Sequence, residues 1–367
     1  LGVNALLNST TAGSNVAIGV NALDANTTGS AVTAVGHNAL TDNTSGHSNV
    51  AVGNLALGDN TTGHSNTAVG TGALQDNITG TVNTAFGMRS LNNTTSNYNT
   101  AIGYDSGFTN TTGSSITALG ANALYANTTG DNNLGVGRSA MEINSTGSNN
   151  TGVGAYSLYN STTANDNVAV GTYAAYTNTT GIQNTAVGRR TFFSNTTGSQ
   201  NTAVGYDALG DNTTGSANTA VGYEALSKAQ SAVQVTAIGY QALKDCTASY
   251  NTAVGFQALD DCTSGTMNVA VGDGVLSTVT TATSNTGMGH FALNANTASN
   301  NSAFGRNCLR ANTSGADNTA VGAQALVVNT TGHSNVALGA NALDANTEGN
   351  ENVAVGMNAL GAATTAI

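Results

Sequence analysis

The chain has 367 residues, including 46 glycines but no proline and no tryptophan. Only 7% of its residues are charged, and 19 acidic against 8 basic residues give a net charge of −11. This thin negative charge argues against nucleic-acid binding, which uses clustered Lys and Arg. No apolar run approaches the roughly 20 residues that span a bilayer. We therefore expect no nucleic-acid partner and no membrane insertion by this segment.

One repeat, approximately N-T-A-V-G-x-x-A-L-x-x-N-T-T-G-x-x, runs through the whole chain. The glycine that closes A-V-G recurs 22 times from Gly2 to Gly356, and 18 of its 21 spacings are seventeen residues while three are sixteen. Such a period is typical of a stack of coils in which each coil packs only on its neighbours. The sequence predicts a single repeat array over residues 1–367, which we expect to be an excerpt of a longer fibre protein.

The first element of each repeat is a short β-strand that ends at the glycine. Three residues precede this glycine in a fixed order: Thr or Val, then Ala or Gly, then a large apolar residue. The alternation of large and small side chains and the enrichment in β-branched residues favour a strand. Strand alternation puts the Thr and the large apolar residue on one face and the Ala or Gly on the other. An Asn precedes the strand in nearly every repeat and predicts hydrogen bonds between stacked amides.

We predict that both strand faces are buried, with the large apolar residue enclosed in the coil. A column limited to Ala and Gly indicates close packing against another surface, which we expect to be the same face of identical chains. The residues assigned to this inter-chain or axial packing are Ala203, Ala220, Ala237, Asn201 and Asn218.

The second half of each repeat contains a Leu four residues after the glycine, followed by N-T-T-G. The Leu column predicts a second line of core residues. In the turn, Asn and Gly are expected to supply positive-φ positions, and the Thr hydroxyls to bond nearby backbone. The three sixteen-residue repeats regain their columns at once, so we predict that their deletions lie in the turn and not in the strand.

The N-T-A-V-G-x-x-A-L block resembles the head repeat of YadA-like trimeric autotransporter adhesins, and similar arrays occur in tail-fibre-like surface fibres. The resemblance covers the whole chain and implies a parallel β-roll in which three chains pack around one axis. The period differs, because the adhesin heads use shorter repeats. The expected fold class is all-β, a repetitive parallel β-roll or β-solenoid of 22 coils with about 17 residues each, assembled as a homotrimer.

No residues are predicted to be catalytic, and neither a metal nor a cofactor is expected. His47 and His64 share a column on adjacent coils, where they could share a metal or be simple surface substitutions. Stacked aromatic residues follow the glycine in four successive repeats and form a candidate ligand-contact strip, although such rings also stabilise a β-stack without any ligand. The residues of this strip are Tyr206, Tyr223, Tyr240 and Phe256.

The three cysteines, Cys246, Cys262 and Cys308, exclude a disulfide framework. Cys246 and Cys262 occupy the turn-Asn position on adjacent coils, within the Cα spacing of a disulfide, and small polar replacement is the alternative. Cys308 replaces the Ala before Leu309 and is expected to be buried and inert. The N-T-T turns are also glycosylation sequons, but turn chemistry explains them without glycans.

These features favour a structural or adhesive segment of an extracellular fibre on a cell or virion surface, with weak contacts repeated along its length. Its partners would be copies of the chain, as a trimer or a head-to-tail polymer, and a surface glycan or other cell-surface target. One alternative is a subunit of a self-assembling filament that pairs through open strand edges. A third is a solenoid that binds ordered water or ice through its Thr column. An enzyme is not expected.

Overall fold

The computed structural model describes residues 2–362 and residue 364. The chain divides into two compact units, Leu1–Gln183 and Asn184–Ile367. Within the described residues there are 21 three-residue strands and turns, and no helix. The all-β solenoid with about 17 residues per coil is therefore confirmed.

All strands follow the predicted positions directly before the glycine. In the first unit they are β1 Val16–Ile18, β2 Thr33–Val35, β3 Val50–Val52, β4 Thr67–Val69, β5 Thr84–Phe86, β6 Thr100–Ile102, β7 Thr117–Leu119, β8 Leu134–Val136, β9 Thr151–Val153 and β10 Val168–Val170. In the second unit they are β11 Thr185–Val187, β12 Thr202–Val204, β13 Thr219–Val221, β14 Thr236–Ile238, β15 Thr252–Val254, β16 Val269–Val271, β17 Thr286–Met288, β18 Ser302–Phe304, β19 Thr319–Val321, β20 Val336–Leu338 and β21 Val353–Val355.

Within each unit, successive strands pair in parallel and in register. β12 and β13, for example, align Ala203 with Ala220, one repeat apart. Register also holds across the sixteen-residue repeats, where β5 aligns Thr84 with Thr100 and β14 aligns Thr236 with Thr252. Only five residue steps separate the turn position from the strand Asn in these repeats, instead of six. The prediction that the turn absorbs each deletion is confirmed.

The interior of each coil is built from small residues packed against leucine. Ala203, Ala208 and Leu209 are all fully buried within a single chain. A Cβ placed on Gly135 would lie 3.2 Å from Cγ of Leu124, so the Ala/Gly column faces the Leu column directly. Because a larger side chain would collide with leucine, the coil itself accounts for the size limit at this column.

The predicted orientation of the strand was therefore wrong. In every strand the middle residue is buried, while the first and third residues are exposed or half-buried. The large apolar residue of A-V-G points outward and is not part of the enclosed core. Two columns of large apolar residues were predicted for the interior, and of these only the Leu column is found there.

Two lines of asparagine run through the interior, and each links consecutive coils. The strand ladder consists of the Asn before each strand. The backbone N–H of Asn218 donates to Oδ1 of Asn201 at 3.0 Å, and Nδ2 of Asn218 donates to the carbonyl of Ala232 at 2.7 Å. The turn ladder consists of the Asn of N-T-T-G, where Nδ2 of Asn212 donates to Oδ1 of Asn195 at 2.9 Å. The predicted amide hydrogen bonds between coils are confirmed.

Positive φ angles occur away from the N-T-T-G turn, which corrects the expectation for that segment. The strand-closing Gly222 has a φ of 140°, and a Cβ there would clash with the carbonyl oxygen of Gly239. Leu226 also lies in the left-handed region, with a φ of 51°. Its N–H donates to the carbonyl of Ala242 in the next coil at 3.0 Å, so inter-coil bonding offsets the backbone cost.

The glycine of the turn is required for space. A Cβ on Gly215 would clash with the carbonyl oxygen of Ala232 in the next coil and with Oδ1 of Asn212, which belongs to the turn ladder. Four turns have Ala in place of this Gly, and all four have lost the ladder Asn: Ser9 with Ala12, Ser161 with Ala164, Ala229 with Ala232, and Val279 with Ala282. Asn and Gly three positions apart therefore form a sterically matched pair.

Candidate functional surface

The outer strand face consists of the first and third residues of each strand, and it is the most regular exposed surface in both units. Its third column is apolar in all 21 strands, with Val, Ile, Leu, Met or Phe at every position. Many of these side chains are substantially exposed, including Phe86 at 56% and Ile102 at 45%. Exposed apolar side chains that line up along a sheet are typical of a surface that contacts a partner.

The first column of the same face is mainly threonine. Thr202, Thr219 and Thr236 lie on consecutive coils and are exposed or half-buried. Parallel strands are about 4.8 Å apart, so the hydroxyl groups form a regular line beside the apolar column. The face thus presents one hydroxyl column and one apolar column.

The aromatic strip predicted from the sequence forms a stack. Ring centroids are 5.2 Å apart between Tyr206 and Tyr223, 5.3 Å between Tyr223 and Tyr240, and 5.2 Å between Tyr240 and Phe256. The rings are between 37% and 50% exposed. Because neighbouring rings cover the faces of Tyr223 and Tyr240, these two residues present their edges and hydroxyl groups to solvent.

A line of polar side chains follows the aromatic strip. Nε2 of Gln241 donates to Glu224 at 2.9 Å, and Nε2 of Gln257 donates to Oε1 of Gln241 at 3.2 Å. Nζ of Lys244 lies 3.2 Å from Glu224. The hydrogen bond from Gln241 is the largest effect that lowers the pKa of Glu224, whereas hydrogen bonding to Glu224 raises the pKa of Tyr223. The strip is thus bordered by side chains that can accept or donate hydrogen bonds.

A second aromatic cluster lies in the first unit and was missed by the sequence reasoning. Tyr156 stacks on Tyr173 at 5.3 Å, and Tyr159 stacks on Tyr176 at 5.2 Å. The guanidinium of Arg138 lies 4.9 Å from the centroid of the Tyr156 ring. The signal was present in the sequence, because both pairs of tyrosines are separated by one repeat.

The histidine pair and the acidic residues give no metal centre. His47 and His64 stack with their centroids 4.7 Å apart and their planes 5° apart. Ring nitrogens in parallel stacked planes do not converge on one ion. Across residues 2–362 and 364, no group of three or more His, Cys, Asp or Glu side chains is placed to hold a metal.

Three aspartates in one column of the first unit, Asp42, Asp59 and Asp76, form a like-charged line. Partial desolvation, followed by the charges of Asp76 and Asp42, raises the pKa of Asp59. Desolvation also raises the pKa of Asp76. The three carboxylates, which remain partly in contact with solvent, therefore repel each other mildly. They are not arranged as a catalytic pair.

The residues assigned to inter-chain packing lie inside their own coil. Ala203, Ala220 and Ala237 are fully buried in a single chain, and Asn201 and Asn218 are 1% exposed. They contact the coils on either side, so they cannot contact another chain while the coil is intact. The assignment of these residues to inter-chain packing was therefore wrong. A contact between chains would have to use the exposed columns of the coil.

Comparison with protein-family models gives no match for this chain, and a search of curated proteins finds no relative. In the part of the chain that the structure describes, no helix has the length and apolar character needed to cross a membrane. The resemblance to adhesin and tail-fibre repeats thus depends on the repeat sequence alone.

Proposed function

We propose that this chain is a structural and adhesive segment of an extracellular fibre, on a cell or virion surface, that contacts partners through its outer strand face. The observation that carries the proposal is the third strand column, which is apolar in all 21 strands although its side chains are exposed or half-buried in the single chain. Solvent alone would accept polar residues there. A partner that covers the column would account for its composition.

Copies of the same chain are the proposed partners for this face. Each copy offers an identical line of half-exposed apolar residues, so two or three copies could bury their columns against one another. A trimer, as in the adhesin and fibre repeats that the sequence resembles, would use this face in place of the Ala column. A head-to-tail polymer remains the alternative assembly.

The mass of the protein in solution, measured by light scattering, tests this assembly. The variant Val204→Lys/Val221→Lys/Ile238→Lys places three charges on the outer strand face. Its control, Thr197→Lys/Thr214→Lys/Ser231→Lys, places three charges on exposed turn positions of three consecutive coils. We expect a trimer for the wild type and the control, and a folded single chain, with a lower thermal midpoint because the assembly is lost, for the strand-face variant.

A wild-type protein that is a single chain at all concentrations would contradict the assembly, and an open polymer would favour the filament alternative. A trimer that survives the strand-face charges would place the contact elsewhere on the coil.

The adhesive part of the proposal involves the aromatic strip and its polar border. Edges, hydroxyl groups and amides repeated on consecutive coils could bind a repetitive target such as a surface glycan through many weak contacts. Retention on a mucin-coated surface tests this, with Tyr206→Ser/Tyr223→Ser/Tyr240→Ser compared against Tyr156→Ser/Tyr173→Ser. Equal retention of both variants and the wild type would contradict glycan contact at the strip.

The exposed Thr column supports one further candidate, the binding of ordered water or ice. The column was predicted to lie on an enclosed side of the strand, but it is exposed or half-buried. A regular hydroxyl line beside an apolar line could order water. Thermal hysteresis of a freezing solution tests the idea, and its absence in the wild type would exclude it.

A further inference from the structure

The turn ladder of the second unit is interrupted in four consecutive coils. The positions that carry Asn elsewhere are occupied by Ala229, Cys246, Cys262 and Val279. Beyond this interruption the amide links resume, where Nδ2 of Asn312 donates to Oδ1 of Asn296 at 2.7 Å. The side chains at these four positions therefore provide no amide hydrogen bond between coils.

The two cysteines face each other in the middle of this interruption. Their Sγ atoms are 3.5 Å apart, both side chains are fully buried, and both thiols are free. Register across this step is fixed by the pairing of β14 with β15, in which Ala237 aligns with Ala253. Coils spaced about 4.8 Å apart fall inside the Cα window for a disulfide, roughly 4.4–6.8 Å.

We propose that Cys246 and Cys262 are a cross-linking site, at which oxidation forms one intrachain disulfide between consecutive coils. The bond would take the place of the amide hydrogen bonds missing from this part of the turn ladder. It would close a loop of one repeat and so restrict the unfolded chain.

The chemistry requires a low-molecular-weight disulfide as oxidant. A thiolate at Cys246 attacks this disulfide, releases one small thiol and forms a mixed disulfide. The Cys262 thiolate then attacks the Cys246 sulfur and releases the second small thiol. Two protein thiols are oxidised and lose their protons, and one small disulfide is reduced to two thiols.

The contact between the two thiols, 3.5 Å apart, shifts the pKa of each. Contact with Cys262 lowers the pKa of Cys246, whereas contact with Cys246 and burial raise the pKa of Cys262. Once Cys246 has lost its charge in the mixed disulfide, its repulsion of a second thiolate is removed. Because both sulfur atoms are buried, we expect the bond to form while the coils are folding.

The remaining cysteine provides an internal control. Cys308 is buried at the position where most repeats have the Ala before Leu, its Sγ contacts the carbonyl of Ala320 at 3.2 Å, and burial raises its pKa to about 12. It lies outside the turn ladder and is expected to stay reduced. Cys308→Ala restores the usual residue of its column and should leave the cross-link unaffected.

The experiment refolds the full chain in a buffer of oxidised and reduced glutathione, then counts thiols after denaturation and maps the bond by peptide mass. The three thiols of the reduced chain should fall to one in the wild type and to none in Cys308→Ala. The wild-type midpoint of thermal unfolding should rise by several degrees on oxidation and fall back on reduction.

The matched variant Cys246→Asn/Cys262→Asn tests the link to the turn ladder. Asn fits both turns, since Asn296 occupies a turn of the same length as that of Cys246 and Gly265 leaves space beside Cys262. This variant should match the oxidised wild type more closely than the reduced one, and it should not respond to glutathione.

Three thiols in the refolded wild type would overturn the proposal. A bond that includes Cys308 or joins two chains would do the same. An intrachain bond that leaves the thermal midpoint unchanged would overturn its role as a replacement for the ladder.

Discussion

The inward and outward residues of the same strand differ in the variety of side chains they accept. The inward column contains only Ala and Gly across 21 strands, whereas the outward third column includes five different apolar residues. Every inward residue is buried within the coil, while every outward residue is exposed or half-buried in the single chain. The restriction to small size therefore comes from stacking, whereas the proposed partner contact would account for the apolar character of the outward column.

The largest expected effect comes from enlarging one inward residue. Ala220→Leu should reduce the free energy of unfolding by about 3 kcal/mol, since the added atoms collide with the Leu column. Val221→Leu changes the outward neighbour and should shift the free energy by no more than about 0.5 kcal/mol. Chemical denaturation of both variants measures the difference, and equal losses would contradict the inward placement of the Ala column.

Removing one amide of the turn ladder should have the next largest effect. Nδ2 of Asn60 donates to Oδ1 of Asn43 at 2.8 Å and to the carbonyl of Gly63 at 3.1 Å. Asn60→Ala leaves buried Oδ1 of Asn43 without a donor, although the carbonyl of Gly63 still accepts from Nδ2 of Asn49, and it should cost about 2 kcal/mol. Thr62→Ala, at an exposed position of the same turn, should be close to neutral. If denaturation midpoints of the two variants coincide, the ladder contributes nothing measurable.

The Asn–Gly pairing predicts a smaller effect on the free energy of unfolding, with opposite signs for a single and a double variant. Oδ1 of Asn212 is buried without a hydrogen-bond partner, because the next coil has Ala229 in the ladder position. Ala229→Asn alone should destabilise, since its amide collides with Cβ of Ala232. Adding Ala232→Gly should remove the collision and make the double variant about 1 kcal/mol more stable than the wild type. Additive effects in this double-mutant cycle would refute the pairing.

The smallest effect concerns the exposed aspartate line. The raised pKa of Asp59 means that the folded chain binds its proton more tightly than the unfolded chain does. The stability gained from this proton is present below the ordinary aspartate pKa of 3.8 and is lost as the pH rises through the higher folded value. Asp59→Asn should therefore raise the thermal midpoint by about 1 °C at pH 7 and by nothing at pH 3. Glu348→Gln serves as the control, and a larger gain at pH 3 would contradict the sign.

Much of the fold could be predicted from the sequence because the repeat fixes both period and register. The strand before Gly205, the Leu209 column and the location of the deletions all follow from spacing. Which face of the strand points into the coil could not be predicted in the same way. Alternation separates Ala203 from Val204 but does not say which of them faces inward, and the usual preference for burying the larger residue gave the wrong answer.

The error has a physical cause in the size of the coil. The interior already holds Leu209, Ala208 and two asparagine side chains per repeat, which leaves space only for Ala or Gly on the strand. The left-handed conformation of Leu226 was also unpredictable, since single-residue preferences disfavour it and contacts with other coils, including its hydrogen bond to Ala242, stabilise it. The aromatic strip was predicted correctly as a stack, but spacing alone could not show that the stacked rings cover each other.

The asparagine ladders of the interior also align the dipoles of their side-chain amides along the coils. Along the turn ladder, each described amide that bonds to its neighbour donates toward the preceding coil, as Asn43 does to Asn26 and Asn60 to Asn43. Dipoles aligned in one sense polarise one another, so an added amide strengthens those already present. The contribution of a ladder amide should therefore grow with the length of the uninterrupted run that contains it. Runs that end at Thr94 or Ala229 set the distance over which this cooperativity extends.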